Sequence, residues 1–216
     1  MKKNLLSNIG IILGYFILYQ VAMLPLLLGQ IAPNVFVYAI FAALGLVASY
    51  YFIRRIWYFL NDNFVFDVNR TKHPVIELIL FVIALVAISS LTIYIPESNN
   101  QKLILETIKT NMFNTVLITV ILSPIFEELI FRGLFAKLFF PTVKSAKSIF
   151  LYVAITSIVF ALMHEQSFSL KLVPYLLMGI VLSLAYVRFG DIRYNMCLHF
   201  LNNFIATIGI VLPLIY

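Results

Sequence analysis

The chain has 216 residues, of which 62% are hydrophobic and only 11% charged. Soluble domains carry about 25% charged residues, so composition excludes an ordinary soluble protein and points to an all-α, polytopic membrane bundle. A net charge of +6 would suggest nucleic acid in a soluble protein; here it reads as basic loops on one side of a bilayer, and no nucleic-acid partner is expected. One cysteine, Cys197, excludes an intrachain disulfide and any multi-cysteine metal site.

Lys2 and Lys3 precede an apolar stretch that continues to about residue 28. It is longer than the ~7–15-residue core of a secretory signal and reads as the first membrane helix, 9–28. Windows of about 20 apolar residues place further helices at 35–53, 75–95, 112–140, 149–164, 172–189 and 195–212. That is seven, with six or eight as the neighbouring counts. The polar segment 97–111 is expected at or beyond the membrane surface. With the amino terminus inside, the inner segments hold Lys2, Lys3, Arg54, Arg55, Arg70, Lys72, Lys137, Lys144, Lys147, Arg188 and Arg193, eleven in all; the outer ones hold three, Lys102, Lys109 and Lys171. The positive-inside rule therefore sets the amino terminus inside and the carboxy terminus outside.

Helices four, five and seven each carry a polar cluster. The fourth contains Glu127, Glu128 and Arg132 in an otherwise apolar run. Charges in such a setting pair, meet water or do chemistry. Glu128 and Arg132 are i,i+4 neighbours and can pair, whereas Glu127 points about 100° away. Pro124 lacks an N–H and frees the carbonyl of Val120, loosening the helix just before the acids. The fifth helix ends with Phe160 and His164 on one face, and the seventh presents His199 and Asn203 on one face. Each cluster alone has a plain structural reading: an ion pair, a helix-end histidine, polar glue between helices worth about 1 kcal/mol. Together, an acid, two histidines and an amide on three helices are what a hydrolytic centre needs.

Other protease chemistries lack their residues. After His164-Glu165 the second histidine of H-E-x-x-H is replaced by Phe168. No G-x-S-x-G occurs. Cys197 and His199 point about 200° apart on one helix, and the aspartates lie in loops. A glutamate-centred mechanism remains.

These residues resemble the CPBP family (CAAX proteases and bacteriocin-processing enzymes), which includes prenyl-protein endopeptidases and the bacterial Abi immunity-associated proteins. The family pattern E-E-x-x-x-R, F-x-x-x-H, H-x-x-x-N appears in order as Glu127-Glu128…Arg132, Phe160…His164 and His199…Asn203. The resemblance covers about 111–207. It divides the chain into amino-terminal helices, 1–110, and a catalytic core, 111–216.

The resemblance implies a multi-pass, bacterial-type cell-membrane endopeptidase acting on peptide or membrane-anchored protein substrates, in peptide processing or self-immunity. Glu127 with His164 would activate water, His199 and Asn203 would stabilise the oxyanion, and Glu128, Arg132 and Phe160 would support them. No cofactor is favoured, although the family has been described as metalloproteases and Glu127, His164 and His199 could form a zinc site with an open position. The competing reading is a non-enzymatic immunity or scaffold protein that binds a partner in the bilayer.

One spacing resists this assembly. From the inner helix ends, Glu127 and His164 lie about 13–15 residues deep, ~20 Å, and His199 only about 5 residues, ~8 Å, at 1.5 Å per residue. They meet only if helices four and five protrude as a hairpin, or if the last loop lies within the membrane.

Overall fold

The computed structural model describes residues 5–215; Lys2 and Lys3, counted above for orientation, lie outside them. The chain is helical throughout: α1 Leu5–Gly29, α2 Val35–Asn61, α3 Pro74–Leu91, α4 Asn99–Thr110, α5 Met112–Phe139, α6 Ala146–His164, α7 Leu172–Phe189 and α8 Ile192–Ile215. Seven of them, all but α4, are long and apolar enough to cross a membrane. Their outward faces carry rows of exposed Leu, Ile, Val and Phe, the surface that lipid rather than water covers.

The ends follow local chemistry. The Asn34 side chain accepts the Val37 N–H at the start of α2, and Pro74 opens α3, where its missing N–H costs nothing. Ser145 and Ser148 form a reciprocal cap on α6. Gly190 ends α7 with φ +63°, a left-handed geometry that glycine adopts without strain. One expectation shifts: α2 runs eight residues past 53, taking Arg54 and Arg55 into the helix. Segment 97–111 is largely the helix α4, with Ile108 its buried residue.

α5 is the axis of the bundle. It is continuous but widens into π-type turns at Leu117–Leu122 and Glu128–Leu134, on either side of Ser123–Glu127. Pro124 cannot donate to Val120, so the ladder relaxes there and the Ser123 N–H reaches Ile118 O instead. Every residue of Glu128–Leu134 is buried. α1 and α2 brace it at Phe126, whose ring lies 4.8 Å from Tyr19 and 5.0 Å from Phe52, and Asn114 Nδ2 donates to Leu26 O at 2.7 Å. α3 joins α8 through Ser89 Oγ donating to Asn202 Oδ1 at 2.9 Å.

At one end of the bundle the loop after α2 laces the other loops together. Asp67–Val68 pairs in parallel with Thr142–Val143, Lys144 bridges to Asp67 at 2.7 Å, and the Thr71 N–H donates to Arg188 O at 2.8 Å. The same end shows how the polar clusters come level. A Cβ on Gly133 would sit 2.7 Å from Leu60 Cδ1 and 3.1 Å from Ile192 Cδ1. Gly133 is therefore level with the start of α8, and α5 continues for another turn and a half beyond it. The α5–α6 hairpin extends past the α7–α8 turn, an offset that either a protruding hairpin or a last loop within the membrane produces.

Candidate active site

Glu127, Glu128 and Arg132 come from α5, Phe160 and His164 from α6, and Asn195 and His199 from α8. They form one cluster. Glu128 is saturated. Its Oε1 accepts Arg132 Nη1–H at 3.0 Å and His199 Nδ1–H at 2.8 Å, and its Oε2 accepts Asn195 Nδ2–H at 3.2 Å. Glu128, Arg132 and Asn195 are fully buried. Glu128 holds these three donors in place.

Arg132 is held in turn. Nη2 donates to Gly179 O at 3.4 Å, and the guanidinium carbon lies 4.4 Å from the centre of the Phe160 ring, a cation–π contact. Gly179 must be glycine for this. A Cβ there would meet the Ser157 backbone at 2.9 Å, so only glycine lets α7 approach α6 closely enough for its carbonyl to reach Arg132.

Glu127 is different. Its Oε2 is buried, and the groups that face it are two imidazoles. It lies 3.3 Å from His164 Nε2 and 3.7 Å from His199 Nε2. The opposite nitrogen of each imidazole is already engaged, His164 Nδ1 with Phe160 O at 2.8 Å and His199 Nδ1 with Glu128 Oε1. Carbonyl and carboxylate oxygens only accept, so both Nδ1 atoms carry hydrogen. In neutral rings both Nε2 atoms then present lone pairs toward Glu127 Oε2. Three acceptors facing one another call for a proton or a hydrogen-bond donor between them. Two carboxylates against one guanidinium leave one negative charge, which a single imidazolium cancels. The side chains of Glu127 and His164 stay 12% and 16% exposed while His199 is almost sealed, so the group opens on the Glu127–His164 side.

Asn203 lies one turn of α8 beyond His199. Its Nδ2 donates to Thr119 O at 2.9 Å, a carbonyl in the first wide turn of α5. Among the described residues its second amide hydrogen has no acceptor. Asn195 was not singled out from the sequence, although it lies at i−4 from His199 as Asn203 lies at i+4, and that stripe was the signal for it. Nothing in the sequence marks Tyr175, whose ring lies nearly parallel to His164 at 5.1 Å.

Among the described residues no group of three or more His, Cys, Asp or Glu side chains is arranged to hold a metal ion. The set Glu127, His164 and His199, expected as the ligands if zinc is used, is not among such groups.

Residues 109–205 match the family model for type II CAAX prenyl endopeptidases, Rce1-like. No curated protein and no solved structure matches the chain at comparable stringency. The matched stretch contains every residue of the cluster, and it is the family that the three motifs resemble. With seven apolar helices, the match supports a multi-pass integral membrane protein with an intramembrane endopeptidase core.

Proposed function

With residues 109–205 related to the type II CAAX prenyl endopeptidases, we propose that the protein hydrolyses peptide bonds with a water activated by Glu127. The observation that carries this reading is Glu127 Oε2, a buried carboxylate oxygen set between two imidazole Nε2 atoms. A water there donates one hydrogen to Glu127 and attacks the scissile carbonyl carbon as its proton passes to the Glu127–His164 pair. The C–O bond forms, the carbonyl π pair moves onto oxygen, and a tetrahedral oxyanion results. His199 Nε2, aimed by the Nδ1–H bond to Glu128, donates to that oxyanion when the ring takes up a proton, and Asn203 offers its second amide hydrogen. Collapse breaks the C–N bond, and the proton held by Glu127–His164 goes to the departing amine. Glu128, Arg132 and Phe160 take no part in proton transfer; they fix the imidazoles. No step requires a metal ion.

The substrate is a peptide or a membrane-anchored protein, handled in bacterial peptide processing or self-immunity at the cell membrane. Helices α1–α3 brace the core of 111–216 without contributing to the chemistry. The amino terminus lies inside, consistent with Arg70, Lys144, Arg188 and Arg193 being gathered at one end.

The test is hydrolysis of candidate precursor peptides by detergent-purified protein, beside Glu127→Gln. Cleavage by the parent and none by the variant supports the reading. Equal cleavage by both removes Glu127 from the mechanism, and a membrane protein that protects cells equally well with Glu127→Gln is a scaffold.

A further inference from the structure

His164 ends α6, and its ring is held by more than the Phe160 carbonyl. Phe160 lies against the imidazole at 4.3 Å between centroids and Tyr175 at 5.1 Å, tilted from it by 36° and 24°. Two rings in contact with an imidazole oppose a flip about its Cβ–Cγ bond, the motion that would put Cδ2 in place of Nδ1 at Phe160 O and Cε1 in place of Nε2 at Glu127.

Tyr175 is itself anchored. Its hydroxyl lies 2.7 Å from Ser98 Oγ, and Asn100 Nδ2 reaches it at 3.5 Å. Ser98 is buried and caps α4 by accepting the Gln101 N–H at 3.0 Å. The residue after His164 is bound to the same turn. Glu165 Oε2 accepts the Asn99 N–H at 3.0 Å, and Oε1 accepts the Ser167 N–H at 3.0 Å. Glu165 is 1% exposed and belongs to no part of the hydrolytic cluster. A buried carboxylate persists when its oxygens are matched by donors, and here the donors come from two separate segments. Glu165 clasps the end of α6 to the start of α4. Ser98–Asn100 precede the stretch 109–205 matched by the family model, so the clasp joins the core to a segment outside it.

We infer that Tyr175 is a positioning residue for His164, keeping its Nε2 toward Glu127, and that the Ser98–Asn100 turn, latched by Glu165, holds Tyr175 in place. The tautomer claim stands on geometry alone; only its kinetic consequence rests on the hydrolytic reading above.

The experiment uses full-length protein in detergent with imidazole-15N histidine. The chain has three histidines, and His73→Gln and His164→Gln assign the signals. The parent should show His164 with hydrogen on Nδ1. Tyr175→Leu should give a mixture of tautomers, and Tyr175→Phe and Ser98→Ala should fall between, since they keep a ring but cut its tether. On a cleaved peptide, kcat of Tyr175→Leu should fall about tenfold with KM within about twofold, the mark of misplacement rather than lost binding. An unchanged His164 spectrum in Tyr175→Leu or, if that variant does not fold, in Tyr175→Phe overturns the inference. An unchanged kcat in an enzyme that cleaves overturns it too and leaves the hydrolytic reading intact. A shifted tautomer in a protein that cleaves nothing upholds the positioning role while the hydrolytic reading falls.

Discussion

Glu128 and His199, 71 residues apart in sequence, are joined by a 2.8 Å contact between a carboxylate oxygen and imidazole Nδ1, with both side chains almost fully buried. This contact sets the tautomer of His199 and turns its Nε2 toward Glu127. Glu128→Gln should keep the bundle and lose this preference, because an amide presents a donor as readily as an acceptor. Hydrolysis should drop at least ~100-fold. Imidazole-15N spectra of His199 should report the mixed tautomer.

Removing Arg132 alone is expected to be worse for stability than removing both partners. Arg132→Met leaves Glu128 buried with its charge unmatched, a loss of about 3–5 kcal/mol, while Glu128→Gln combined with Arg132→Met should recover part of it. Thermal unfolding in detergent of the two single variants and the double one measures this. Equal and additive losses would mean that the pair is not coupled.

Glu127→Gln should fall by about 10²–10⁴-fold in kcat with little change in unfolding, because the amide keeps the shape of the side chain and an oxygen or nitrogen facing His164. If hydrolysis uses only these residues, treatment of the enzyme with a chelator should leave the rate as it was. Loss of activity on chelation, restored by zinc, would contradict the metal-free route.

Gly179→Ala should destabilise by about 1–3 kcal/mol, the usual cost of overpacking, since its Cβ would press on the Ser157 backbone. The same displacement moves the carbonyl that Arg132 uses, so activity should decline more steeply than unfolding temperature. Gly209→Ala is the control, because nothing lies within 4 Å of a Cβ there.

The docking of α4 should depend on acid. The Ser167 backbone N–H, and after it the Asn99 N–H, hold the Glu165 carboxyl below its ordinary range. A carboxylate depressed in the folded state stabilises it above the ordinary glutamate pKa, and that contribution disappears as pH falls through the depressed value. Hydrogen-exchange protection at Asn99–Gln101, taken relative to the intrinsic rate at each pH, should therefore fall at the acid end and stay constant from mildly acid to neutral pH. Glu165→Gln should flatten that dependence.

Much of the architecture was legible residue by residue. Crossing a bilayer demands about 20 apolar residues in a row, a property of contiguous sequence, so α1 through α8 without α4 could be read directly. The Glu128–Arg132 pair was equally local, because four residues make one helical turn. The widened turn just before Pro124 followed from a missing N–H, whereas the second one, Glu128–Leu134, was not foreseen. Helix ends were less legible, as with Arg54 and Arg55, since a helix can continue past the apolar run that marks it.

What the polar clusters do to one another depended on the tertiary structure. Sequence spacing paired Glu128 with Arg132 and left Glu127 over, but it could not show that Glu128 also grips His199 and Asn195. It could not choose between imidazole nitrogens, because that choice is made by whichever oxygen lies opposite: Phe160 O for one ring, Glu128 for the other. Nor could it foresee Asn203 turned to Thr119 O, or α4 clasped by Glu165. Depth counted along separate helices kept His199 away from Glu127 until the α5–α6 hairpin extended past the α7–α8 turn. Composition and helical period act within one segment, whereas the facing of one helix by another is settled only when all of them pack.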